Sequence, residues 1–252
     1  MVSLNQIVEQ LDQWLQPGQV NDYCPNGLQV EGRGEIKRIV SGVTASQALI
    51  DAAVLVKADA ILVHHGYFWR GEDPCIRGMK KRRLQTLLKY DISLIAYHLP
   101  LDIHPELGNN AQLAKRLGLQ VEGGLELDNP NPVGLWGRLP QPISAAEFGG
   151  LIGRVLGRQP QHIEGGSDQI ETVGWCTGAA QGYIDHAISR GLDAFVSGEI
   201  SEPTVYAARE SGVHYFAAGH HATERFGVQA LGQRLADELD IEHSYIELDN
   251  PV

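Results

Sequence analysis

Two apolar runs in this chain end the same way. Residues 60–69 read A-I-L-V-H-H-G-Y-F-W, and residues 215–224 read Y-F-A-A-G-H-H-A-T-E. Four consecutive apolar residues, too few for a helix, suit a strand buried on both faces. Each run then closes on two adjacent histidines. A fold that accepts these segments has to bury two short strands and find a use for the histidines at their ends.

The rest of the chain supplies the covering helices. Leu4, Ile7, Val8, Leu11, Trp14 and Leu15 recur at helical spacing and predict an amphipathic helix over residues 4–15. Residues 36–43 read as a strand. T-A-S-Q at 44–47 has capping-box form and predicts a helix from there to about Val56. A helix begins at the basic cluster Lys80, Lys81, Arg82 and Arg83, residues 93–97 form a third strand, and residues 109–117 form another helix. Strands alternating with helices indicate an α/β fold. Pro130, Pro132, Pro140 and Pro142, with nearby glycines, mark residues 128–142 as a linker or domain edge. The expected domains are therefore 1–127 and 128–252, with the C-terminal helix able to pack on the first.

The two halves also align. Thr44 pairs with Thr177, Gln47 with Gln181, Asp51 with Asp185, and Asp59-Ala60 with Asp193-Ala194. Ala96-x-His98-x-x-x-Asp102 matches Ala218-x-His220-x-x-x-Glu224, and Leu113-x-x-Arg116-Leu117 matches Leu231-x-x-Arg234-Leu235. The shared order predicts an internal duplication: two similar α/β domains with functional groups in the cleft where strand ends meet.

Ligands of open α/β sheets gather beyond the carboxyl ends of the strands. His64-His65 and His220-His221 are expected there. Adjacent side chains at a strand end point in different directions, so such a pair suits two neighbouring ions better than one. Two-metal sites, with ions roughly 3.5–4 Å apart, need several imidazole and carboxylate ligands. His64, His65, Asp102, His220 and Glu224 are the candidates. A helix starting at His220 puts Glu224 on its face at i+4. Asp102 follows Pro100, so residues 98–102 are expected as a turn. His98 and His221 are read either as groups orienting the ligands or as capping and packing residues, and Glu199 as a cleft residue or a helix N-terminal acid. His162, His186, His214 and His243 are expected at the surface, and His104 in a turn.

Composition narrows the function. A net charge of -11 repels a phosphate backbone and argues against duplex nucleic-acid binding. Apolar residues at 43 % and charged residues at 20 % describe a folded domain rather than a disordered one. Cys24, Cys75 and Cys176 form no C-x-x-C pair and are read as reduced thiols of a cytoplasmic protein. No apolar run approaches the ~18 residues of a membrane span. Phosphate-loop, nucleophile-elbow and H-E-x-x-H motifs are absent.

The segments D-Y-C-P-N-G-L-Q-V-E-G, A-I-L-V-H-H-G-Y-F-W, H-L-P-L-D-I-H-P-E-L-G-N-N and A-A-G-H-H-A-T-E-R-F-G resemble the NIF-three-like family, often labelled GTP cyclohydrolase I type 2 homologues. The resemblance runs from near the N-terminus to the last helix. It implies two related α/β domains, a dinuclear metal centre between them, and a ring-shaped homohexamer built from dimers. The family's ligands fall on His64, His65, Asp102, His220 and Glu224. Where many members have a glycine-richer turn after C-T-G, this chain has Ala179 and Ala180, which puts any substrate contact at that turn in doubt.

The expected function is hydrolysis assisted by two divalent ions of zinc, iron, manganese or nickel. The substrate is expected to be a small molecule such as a nucleotide or purine ring, with His98 as a proton shuttle. The competing reading is a ring-forming metal-binding or scaffold protein without catalysis.

Overall fold

The capping box at Ser3 shows how local chemistry starts this fold. Its hydroxyl accepts from the Gln6 amide while the Gln6 side chain accepts from the Ser3 amide, and the helix Leu4–Leu15 follows. Leu4, Ile7, Leu11 and Leu15 are its buried stripe. The computed structural model describes all residues from Met1 to Val252. The chain forms two units: Met1–Gly108 with Gly227–Asp249, and Asn109–Phe226 with Asn250–Val252. The boundary suggested by the prolines, 127/128, falls inside the second unit, and the helix Arg225–Leu239 belongs from Gly227 onward to the first.

The first unit is built on a five-stranded sheet in the order Glu242–Tyr245, Arg38–Thr44, Ala60–His65, Ser93–Ala96, Gly27–Val30. The first four strands are mutually parallel, and Gly27–Val30 is an antiparallel edge. Successive side chains alternate across the sheet. Leu62 and Ile95 therefore join Ile7, Leu11, Val228, Leu231 and Leu235 on one face. Ile61, Val63 and Leu94 meet Leu49, Ile50, Leu84 and Leu87 on the other. Covered on both faces, Ala60–His65 is apolar without alternation, as parallel strands are.

The second unit has a six-stranded sheet in the order Gln120–Gly124, Leu135–Ser144, Gln169–Cys176, Ala194–Ser197, His214–Ala217, Gln161–Ile163. Gln169–Cys176, Ala194–Ser197 and His214–Ala217 are parallel, and the flanking strands run antiparallel. Helices Asn109–Leu117 and Ala145–Leu156 cover one face through Leu113, Leu117, Phe148 and Ile152. Ile184, Ala187 and Ala208, on helices Ile184–Arg190 and Glu202–Ser211, cover the other.

Three local expectations are corrected. Residues 135–144 of the Pro-rich stretch are a strand. Pro140 and Pro142 fall between its paired residues Arg138 and Ile143, where the ladder with Gln169–Cys176 is irregular, and a bulge tolerates the missing amide. Helix Gln47–Leu55 is capped by Ser46, whose hydroxyl accepts from the Leu49 amide, whereas Thr44 closes the preceding strand. Residues Leu99–Asp102 are a short helix rather than a turn, because Pro100 lies in its first turn, where no intrahelical amide is needed.

Candidate metal-ligating residues

In the first unit the strand Ala60–His65 delivers His64 and His65 at its carboxyl end. His64 is fully buried, and its Nδ1 donates to the Tyr97 carbonyl at 3.0 Å. That bond fixes the tautomer and turns Nε2 toward the buried Asp102 carboxylate, 3.5 Å away. His65 Nδ1 lies 3.1 Å from Thr44 Oγ1 on the neighbouring parallel strand. The rings of His64 and His65 lie 4.5 Å apart, centroid to centroid, and His98 lies 5.0 Å from His64 and 5.8 Å from His65. Ligand atoms of His64, His65 and His98 lie within 4.8 Å of one another, a grouping able to hold a metal ion, and the same holds for Asp22, Cys24 and His98.

His98 is held from behind. Its Nδ1 donates to Asp22 Oδ1 at 2.9 Å, and its backbone amide donates to Asn26 Oδ1 at 2.7 Å. Asp22 Oδ2 accepts from the Asn26 side chain at 3.0 Å and from the Leu99 amide at 2.9 Å. Burial pushes the Asp22 pKa up, but the hydrogen bonds and the His98 charge prevail and hold it well below the usual carboxylate range. Burial, aided by the Asp22 and Asp102 charges, pushes the Cys24 thiol up to about 12, so it stays protonated at neutral pH. Tyr23 and Trp69 pack edge-on to the His98 ring at 5.1 and 5.0 Å.

The second unit repeats the pairing of histidine with carboxylate. His220 opens the short helix His220–Thr223 after Gly219, whose φ of 103° belongs to glycine. His220 Nδ1 donates to Glu199 Oε1 at 2.7 Å, and Nε2 lies 3.1 Å from Glu224 Oε2. Glu224 is buried. Burial pulls the His220 pKa down, yet Glu224 and Glu199 together hold it up to about 9. Two carboxylates around one imidazole thus stabilise positive charge at this point, which suits a cation.

The turn after C-T brings the backbone close to His220 and Glu224. Gly178 has a φ of 72°, and a Cβ there would strike Glu224 Oε1 and lie 3.3 Å from His220 Nε2. The close approach is thus made by the glycine this chain keeps; Ala180 is buried against the adjoining helix core, and Ala179 faces solvent. His221 uses its backbone amide to donate to the Val252 carbonyl at 3.0 Å.

Each unit therefore assembles its own share of the five candidates: His64, His65 and Asp102 in the first, His220 and Glu224 in the second. Two further residues matter here: Glu199, which holds His220 and which the sequence marks equally as a helix N-terminal acid, and Asp22, which holds His98 and which no periodicity in the sequence marks. His214 is buried rather than at the surface, and His162 is half-buried against it. Their rings stack, with Nε2 and Nδ1 3.0 Å apart. No helix is long and apolar enough to cross a membrane, and no disulfide joins the cysteines.

Residues 2–251 match the family model described as Duf34/NIF3 (NGG1p interacting factor 3). A Pseudomonas aeruginosa protein named GTP cyclohydrolase 1 type 2 homolog is 58 % identical over 250 residues, covering 99 % of each chain. A Vibrio cholerae protein of the same name is 60 % identical over 244 residues, covering 96 % of each. A solved structure of a protein called ybgI, described as of unknown function, superposes with a TM-score of 0.96 at 49 % identity and covers 100 % of both chains.

Proposed function

The chain belongs to the Duf34/NIF3 family, and from that premise we propose a metal-dependent hydrolase acting on a nucleotide or purine ring. In this reading His64, His65, Asp102, His220 and Glu224 jointly hold two divalent cations. One observation carries it. In each unit a histidine has Nδ1 hydrogen-bonded and Nε2 turned to a buried carboxylate: His64, near a strand's carboxyl end, to Asp102, and His220, at the start of a short helix, to Glu224. That is the tautomer and posture of a metal-binding imidazole with its orienting partner. The similar sheets support a duplicated origin. Each contains a run of parallel strands, four in the first sheet and three in the second, that ends on a short antiparallel edge strand.

Imidazole and carboxylate donors suit zinc, iron, manganese or nickel. When bound, such ions polarise the bond under attack and lower the pKa of water to about 7. The chain's own residues do the rest. Asp22 keeps the His98 ring oriented beside His64 and His65, the place for a proton carrier, and Tyr23 and Trp69 shield that ring from bulk water. The substrate class rests on the name GTP cyclohydrolase 1 type 2 homolog carried by the relatives.

The test is turnover. Purified protein is incubated with GTP and other nucleotides before and after chelation. Activity that disappears with chelator and returns with one particular metal supports the hydrolase. Full metal occupancy without turnover on any nucleotide would leave a metal-binding or scaffold protein instead.

A further inference from the structure

A second recognition element lies beside His220. After helix Ala145–Leu156 the chain passes Gly157 in the left-handed region and turns along the edge strand Gln161–Ile163. Arg158, Gln159, Gln161, Gly198, Glu199 and Pro251 line a pocket of about 510 Å³ there, the size of sites that take small-molecule ligands. Within it Glu199 accepts from His220, and the Arg158 guanidinium lies against Gly219, the residue just before His220; a Cβ at Gly219 would come 2.9 Å from Arg158 Cζ.

Arg158 makes no ion pair. Its Nη1 donates to a neutral acceptor, the Pro251 carbonyl, at 2.9 Å. The planar guanidinium fork is matched to oxyanions, which it binds more strongly than it binds a carbonyl. Pro251 belongs to Asn250–Val252, a segment whose three residues are all exposed. Besides Arg158, it is held by the bond from the His221 amide to the main-chain oxygen of Val252, which also lines the pocket, and by its own turn, in which the Val252 amide donates to Asn250 Oδ1 at 3.0 Å.

We infer that Arg158 anchors a phosphate group of the substrate, and that Asn250–Val252 is a strap which that phosphate displaces. This rests on the hydrolase reading and names the substrate group that Arg158 would hold beside His220.

Calorimetric titration of the full protein with inorganic pyrophosphate tests this, with malonate as a dicarboxylate comparison and metal content measured alongside. Arg158→Ala is expected to weaken pyrophosphate binding tenfold or more, and Arg158→Lys to recover part of the loss. Removal of Asn250–Val252 is expected to strengthen binding at least threefold. Metal content should be the same in all four proteins, so a chain that bound no metal yet lost pyrophosphate affinity on Arg158→Ala would sink the metal reading and keep the subsite. Binding unchanged by Arg158→Ala, weakened by removal of the strap, or matched by malonate would overturn the proposal.

Discussion

Gly178 packs directly against the candidate ligands of the second unit. A methyl group there meets the Glu224 carboxylate, and the backbone sits at a φ that costs an L-residue about 1–2 kcal/mol. Gly178→Ala is therefore expected to lower stability by about that amount in chemical denaturation and to reduce bound metal in elemental analysis; a variant with full metal content would show that Glu224 is not a ligand. His243 sets a pH limit. Burial holds its pKa down, the nearby Asp237 charge opposing, and its Nε2 lies 2.8 Å from Ser41 Oγ. The folded chain resists protonating the ring, while the unfolded chain takes the proton near its ordinary pKa of about 6.5. The contribution is complete above that pH and declines as pH falls below it. Urea titrations at pH 7.5 and 5.5 should show the unaltered protein losing more stability on acidification than His243→Gln; equal losses would contradict this. His243 was expected at the surface because its neighbours in the chain are polar. Its partner Ser41 lies some two hundred residues away, on the strand its own strand pairs with, and no local pattern encodes that.

Among the elements, helix Ala145–Leu156 has a full capping box, with Ser144 and Glu147 exchanging bonds. Ser144→Ala should cost about 1 kcal/mol and lower Tm by about 2–4 °C without changing metal content, which scanning calorimetry and elemental analysis check together. The elements that could be read from the sequence were those whose burial is written locally. Ala60–Val63 and the run from Tyr215 are covered on both faces and so are continuously apolar, and residues 4–15 carry a clean stripe. Elements defined by their neighbours were hidden. The strand Leu135–Ser144 tolerates two prolines only because its ladder is broken there, and helix Leu99–Asp102 accommodates Pro100 only because that residue is in its first turn. The candidate site divides the same way. The histidine pairs stand out as a pattern at the ends of apolar runs, whereas Asp22, Glu199 and Gly178 meet their partners only through the fold.

For the whole molecule, the family resemblance leads us to expect a ring of six chains of 27.5 kDa each. Light scattering coupled to size exclusion should report one species near that sixfold mass, and a monomer at micromolar concentration would refute it. The central claim, however, concerns cations. Its most direct test is elemental analysis of the purified protein beside a variant in which His64, His65, Asp102, His220 and Glu224 are all alanine, with circular dichroism confirming that both are folded. The account predicts two divalent ions per chain in the unaltered protein and none in the variant. Equal metal content in the two, or a folded unaltered protein that takes up no divalent ion when supplied with zinc, iron, manganese or nickel, would contradict it.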